Sequence, residues 1–170
     1  PARVAFTPIA NSPDRTRGSF MTSTLATLAI YNGQNIAKTL SKSDFSFKDY
    51  ADGKHVLFII NPDENDKYNP IVSVLIDQAY QELVRCATIA KDTHLKKRFH
   101  FLLDEFGNMA AINKIQGKLT VALSRWIFFH LFLQDDNQLE DVYGEQIAKI
   151  IRGNCNLKFF ISRHEYLPWN

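Results

Sequence analysis

Two adjacent acids, Asp104 and Glu105, close the apolar run Phe99 to Leu103 (FHFLL). Apolar residues followed by Asp-Glu form the Walker B pattern of nucleotide-driven motors. A strand would fix both carboxylates, and its consecutive side chains point in different directions. Asp104 could hold the water shell of a nucleotide-bound magnesium ion. Glu105 could orient and polarise the water that attacks a γ-phosphate. The same pair also reads as two acids solvating a strand terminus. Gln134 ends the next apolar run, where its amide could touch the γ-phosphate or the attacking water and report hydrolysis; a polar residue opening a loop is the plainer reading. Arg125 precedes that run and so falls at the opposite end from Gln134. Across a subunit boundary it could act as an arginine finger, and within its own chain it reads as an arginine favoured at a helix end by the macrodipole. Asp63, Asp104 and Glu105 together leave open a metal-dependent nuclease. The basic group Arg85, Lys91, His94, Lys96, Lys97, Arg98 and His100 reads as phosphate contacts or as a solvated connector.

Four apolar runs must position these residues: 55–60 (HVLFII), 99–103, 127–133 and 156–161. Each suits a buried strand. Helical patterns separate them. Asp14 is a plausible N-cap for a helix over 15–31, with Phe20, Met21, Leu25, Leu28 and Ala29 as its apolar positions. A short helix is expected over 34–40. Asn69-Pro70 opens a long helix to about Ala90, with a stripe of Ile71, Val74, Leu75, Gln78, Ala79, Leu83 and Cys86. Further helices are expected over about 108–123 and 136–151, the last stopped by Gly153-Asn154. Alternation of this kind predicts an α/β fold, a three-layer and mostly parallel sheet. Ligands then bind beyond the carboxyl ends of the strands, where Asp63, Asp104-Glu105, Gln134 and Arg163 fall.

Composition bounds the remaining choices. A chain of 170 residues predicts one compact domain. A net charge of +2 excludes a polybasic or polyacidic tail as the main feature. Two cysteines, Cys86 and Cys155, are too few for a disulfide framework and lack zinc-site clustering. The longest apolar run, Trp126 to Leu133, is eight residues and contains a histidine, far short of the ~18 that span a bilayer. The chain opens at Pro1 and its first methionine is Met21, so it is expected to be part of something longer. No G-x-x-x-x-G-K-[ST] loop occurs. Such a loop supplies the amides and lysine that cradle β- and γ-phosphates, so this chain alone is not expected to hydrolyse nucleotide.

Taken in order, LLDEFGNMAAI (102–112), LTVALSR (119–125), FHLFLQDDNQLEDVYG (129–144) and NCNLKFFI (154–161) resemble the TraG/TraD family. These are the coupling proteins of type IV secretion and bacterial conjugation. DGKHVLFIINPDENDKYNPIVSVLIDQAYQEL (52–83) resembles the strand and helix before Walker B in that family, and RTRGSFMTST (15–24) the end of its all-helical insertion. The resemblance implies three parts: 1–45 as the end of that insertion, 46–161 as the Walker B half of a RecA-like P-loop domain lacking its Walker A strand and loop, and 162–170 as a divergent tail. It also implies ATP and Mg2+ as cofactors, with Asp104 as the magnesium-side acid, Glu105 and Gln134 as catalytic residues, and Arg125 near the family's trans arginine. Single-stranded DNA, relaxase and the secretion channel are the implied partners of a membrane-attached homo-hexamer at the cytoplasmic face of the bacterial cell membrane. Where the family has glycine and a second basic residue after Ser124-Arg125, Trp126 and Phe128 stand here. The absent Walker A strand predicts that 127–133 and 156–161 either pair directly or accept a substitute strand. A non-catalytic α/β module that docks relaxase or accessory proteins is the alternative function.

Overall fold

A computed structural model describes residue 7 and residues 9–61 and 68–161. Asp63, Arg163 and the tail 162–170 lie outside the described residues. The chain divides into two compact units, 1–46 and 47–170.

In the first unit, helix α1 covers Asp14–Leu28, a 3-10 turn covers Ala29–Asn32, and α2 covers Gln34–Leu40. Pro13, not Asp14, occupies the cap position, and no side chain caps the helix. Asp14 instead pairs with Arg17. The apolar positions expected along α1 bury nothing: Phe20, Met21, Leu25 and Leu28 are all exposed. Periodicity marks a face that can be buried, and burial requires a neighbour to cover it.

The second unit holds α3 (Phe47–Asp52), α4 (Asn69–Ile89), β1 (Phe99–Leu103), α5 (Ile115–Ala122), β2 (Ile127–Leu131), α6 (Gln138–Tyr143) and α7 (Glu145–Asn154). It is an α/β unit with a two-stranded parallel sheet. Phe99 lies opposite Ile127 and Leu103 opposite Leu131. Parallel pairing places both carboxyl ends on one edge, as the crossover rule requires. The backbone continues the ladder past the strands, with Phe132 N–H donating to Leu103 O at 3.0 Å and Phe106 N–H to Phe132 O at 2.9 Å.

The long helix forms where the Asn-Pro signal falls, but its buried face is Ser73, Ile76, Ala79, Tyr80, Leu83 and Ala87. That face is rotated from the expected stripe; Val74 and Gln78 face outward. Tyr80 sets the rotation. Its ring packs 5.9 Å from that of Phe129 on β2, and Phe129 in turn stacks 4.8 Å from Phe101 on β1. Asn69 starts the helix without capping it. Its side chain instead accepts a hydrogen bond from Asn61 and donates to Asn108 O at 3.3 Å. Leu83, Phe106, Ile112, Ile115, Ile127, Leu139 and Ile151 complete a continuous core. Lys118 is buried with them, its Nζ 2.5 Å from Asp77 Oδ1 and 5.1 Å from the Tyr80 ring centroid. The pairing makes its charge tolerable there.

Three expectations need correction. First, 55–60 and 156–161 form no strand among the described residues, and neither joins the sheet. Val56, Phe58 and Ile60, and likewise Leu157, Phe159 and Ile161, are more than 70% exposed. A β-prone segment becomes a strand only beside an edge that takes its backbone hydrogen bonds, and here no such pairing forms. Direct pairing of 156–161 with β2 is therefore not seen. Second, the helix expected over 108–123 is reduced to Ile115–Ala122, flanked by 3-10 turns at Phe106–Asn108 and Leu123–Arg125. Lys114 in the left-handed region (φ 51°) delays its start. Third, the helix expected over 136–151 is two helices. Gly144 separates them at φ 77°, a conformation that glycine adopts without steric cost. The second of them, α7, ends at Asn154, within the Gly153-Asn154 pair expected to stop it.

Candidate active site

The acids leave β1 through a sharp turn. Asp104 is exposed and Glu105 half-buried. Glu105 adopts φ 48°, ψ 42°, a left-handed conformation uncommon for a residue with a Cβ. Such strain costs about 1–3 kcal/mol and collects at functional sites. Asp104 Oδ1 accepts the Glu105 N–H at 3.1 Å, and Glu105 O accepts the Asn108 N–H at 2.8 Å. Phe106, completely buried, anchors the turn from below and stacks 5.5 Å from Tyr143. The Tyr143 hydroxyl accepts the Ile112 N–H at 3.2 Å. Burial pushes the pKa of Tyr143 up, and the bond to Ile112 partly offsets this.

Gln134 follows β2 on the same edge, and its Nε2 donates to Glu105 Oε1 at 3.0 Å. Asn108 Nδ2 donates to the other oxygen, Glu105 Oε2, at 3.2 Å. Gln138 Nε2 donates to Asn108 Oδ1 at 3.1 Å, while Gln138 Oε1 accepts the Asp135 N–H at 3.3 Å. Neutral amides thus hold both Glu105 oxygens without neutralising the charge. Each oxygen keeps a lone pair for a further donor such as water. A Cβ on Gly107 would come within 2.5 Å of Gln138 Cβ, so only glycine lets this relay close.

Asp104, Glu105, Phe132, Leu133 and Gln134 line a cleft of about 120 Å3. A larger cavity, about 260 Å3, touches Lys48, Asp52, Arg85, Cys86 and Lys96. Its charged rim is already paired, with Lys96 Nζ 3.1 Å from Asp52 and Arg85 bound to Glu82. In the smaller cleft two acids and an amide converge. Among the described residues, no group of three or more His, Cys, Asp or Glu could hold a metal directly. The exposed Asp104 carboxylate suits a hard cation held through water.

The expected residues separate into two sets. Asp104, Glu105 and Gln134 come together. Arg125 sits before β2, at the far end of the sheet, where Nη1 donates to Thr88 Oγ1 at 3.0 Å and its carbonyl accepts the Leu95 N–H at 3.1 Å. Trp126 beside it adopts φ 62° and stacks on His94 at 4.0 Å. Asn108 and Gln138 were not singled out in the sequence. Their spacing, three residues after Glu105 and four after Gln134, is the signal that would have found them.

These features define an α/β unit with a carboxylate–amide cluster on the carboxyl edge of parallel strands. The chain belongs to the family described as Type IV secretory system Conjugative DNA transfer, which matches residues 3–166. It is 28% identical over 155 residues to Conjugal transfer protein TraG of Escherichia coli, and 28% identical over 159 residues to a second TraG of that species. Each match covers 86% of this chain and 24% of the relative, so the chain spans about a quarter of the length of these curated relatives. No solved structure matches it. The resemblance to TraG-type coupling proteins is borne out. Among the described residues, no helix is long and apolar enough to cross a membrane.

Proposed function

We propose that this chain carries the Walker B half of the nucleotide site in a conjugative coupling protein. That protein would be an ATP-driven, RecA-like hexamer at the cytoplasmic face of the bacterial membrane. It would deliver single-stranded DNA and relaxase to a type IV secretion channel. The observation that carries this reading is the hydrogen bond between Glu105 and Gln134 on the shared carboxyl edge. A carboxylate that can accept from the attacking water, beside a neutral amide that can reach the phosphate, is one pairing that positions water for hydrolysis.

Asp104 would hold Mg2+ of ATP through water, and the ion would neutralise charge on the phosphate oxygens. The chain's own residues do the remaining work assigned here. Glu105, fixed by Gln134 and Asn108, accepts a hydrogen bond from the attacking water and aligns it. Gln134 couples the state of that carboxylate to the segment after β2. Arg125, remote from these residues, would serve a neighbouring protomer. The phosphate-cradling loop would come from elsewhere in the full-length protein.

Asp104→Asn in the full-length coupling protein tests the reading. It is expected to remove ATP hydrolysis and conjugative transfer together. Unchanged hydrolysis and transfer would leave a docking module instead.

A further inference from the structure

At the amino end of the strands, away from the acids, two turns carry uncommon backbone. Thr93 and Trp126 both adopt the left-handed region, at φ 59° and φ 62°. For a β-branched or bulky residue that conformation is an outlier, and such strain collects at functional sites. Leu95 N–H donates to Arg125 O at 3.1 Å and Phe99 N–H to Trp126 O at 2.9 Å, which joins the two turns. Together they lay the His94 ring on the Trp126 indole, with centroids 4.0 Å apart and planes within 10°. His94 Nδ1 donates to Leu95 O at 2.8 Å, which fixes the imidazole. Trp126 is still 36% exposed. Segment 91–98 (KDTHLKKR) carries Lys91, Lys96, Lys97 and Arg98 against a single acid, Asp92. Lys96 is taken by Asp52 at 3.1 Å. Lys91, Lys97 and Arg98 are exposed, and none of them forms an ion pair among the described residues. Arg98 immediately precedes the first register pair, Phe99 with Ile127, and so stands level with Trp126. Its guanidinium lies over the Phe128 ring, 6.0 Å from the centroid.

We propose that this amino edge is a contact site for single-stranded nucleic acid. A base stacks on the Trp126–His94 pair, and Lys91, Lys97 and Arg98 meet the flanking phosphates. Cations alone would accept any polyanion, an acidic protein segment included. The exposed indole favours nucleic acid, because it offers a flat π surface that every base can cover and a carboxylate side chain cannot. Exposed cations beside such a surface follow a sugar-phosphate backbone without reading its sequence. A duplex keeps its bases in its own stack, so it can meet the cations but not the indole. The site lies at the far end of the strands from Asp104 and Glu105, and its test does not depend on the hydrolytic reading.

Trp126 and Trp169 are the two tryptophans of the chain, and Trp169 lies outside the described residues, so Trp169→Phe leaves Trp126 as the one indole emitter. Titrating this 170-residue variant with a short oligothymidylate at low salt should quench Trp126 emission as the strand binds. Adding Trp126→Ala should weaken binding, read by anisotropy of a labelled strand, by about fivefold or more, the low end of what one stacked base contributes. Trp126→Phe should keep most of the affinity. Lys97→Ala and Arg98→Ala should each reduce the slope of log affinity against log salt by about 0.7, one phosphate contact of a single strand. Lys149→Ala, exposed on α7, should leave affinity and slope unchanged. Full binding by Trp126→Ala, binding that leaves Trp126 emission unmoved, or no binding at all would overturn the proposal. Equal quenching by an oligoglutamate of the same length would also overturn it, making the edge a dock for an acidic protein segment. The emission and oligoglutamate readouts need no substitution at the site.

Discussion

Glu105→Gln in the full-length coupling protein is expected to lower kcat for ATP by about 10²–10⁴-fold, the usual contribution of a positioned acid–base group. Nucleotide affinity should change little. The substitution keeps the size of the side chain and removes only its charge and proton-accepting capacity. The oxygen that accepts from Gln134 at 3.0 Å has a counterpart in the glutamine carbonyl, but the other position becomes a donor facing the Asn108 amide. Two donors then meet where one carboxylate oxygen had accepted, so Asn108 and the relay to Gln138 lose their fixed geometry. Steady-state turnover beside equilibrium nucleotide binding separates these effects. Lost turnover with retained binding is the expected pattern. Retained turnover would remove Glu105 from the chemistry.

Phe106→Ala is expected to have the largest effect on stability, about 3–5 kcal/mol. The side chain is completely buried immediately after the two acids. It stacks on Tyr143, and its N–H donates to Phe132 O. Truncation opens a cavity beneath a turn whose neighbour, Glu105, is already strained at φ 48°. Urea unfolding of this chain measures the loss. Leu102→Ala, two-thirds exposed on β1, should shift stability by no more than about 0.5 kcal/mol. Similar midpoints for the two variants would contradict the burial assigned to Phe106.

Legibility from sequence followed the range of the interactions concerned. FHFLL and the Asn-Pro helix start were readable because local pattern and final environment agree there. The expected meeting of Asp104-Glu105 with Gln134 required only the handedness of a crossover. HVLFII and NLKFFI misled because β-propensity reports readiness to pair and carries no information about which neighbour is present. The rotation of α4 was hidden for a related reason. Leu83 belongs to both the expected and observed stripes, and the choice between them was made by Tyr80 meeting Phe129, a contact distant in sequence. The break at Gly144 was masked by apolar periodicity continuing on both sides. Asn108 and Gln138 are ordinary polar residues until the turn brings them to Glu105.

A double-mutant cycle on ATP turnover by the full-length coupling protein addresses the central claim most directly, comparing Glu105→Gln, Gln134→Ala and the combination. Residues that act as one unit on a single water are strongly non-additive. The hydrogen bond between them predicts that the double variant turns over no more slowly than the worse single variant. Losses that multiply independently, or a Gln134→Ala protein as active as the native sequence, would contradict a shared hydrolytic site.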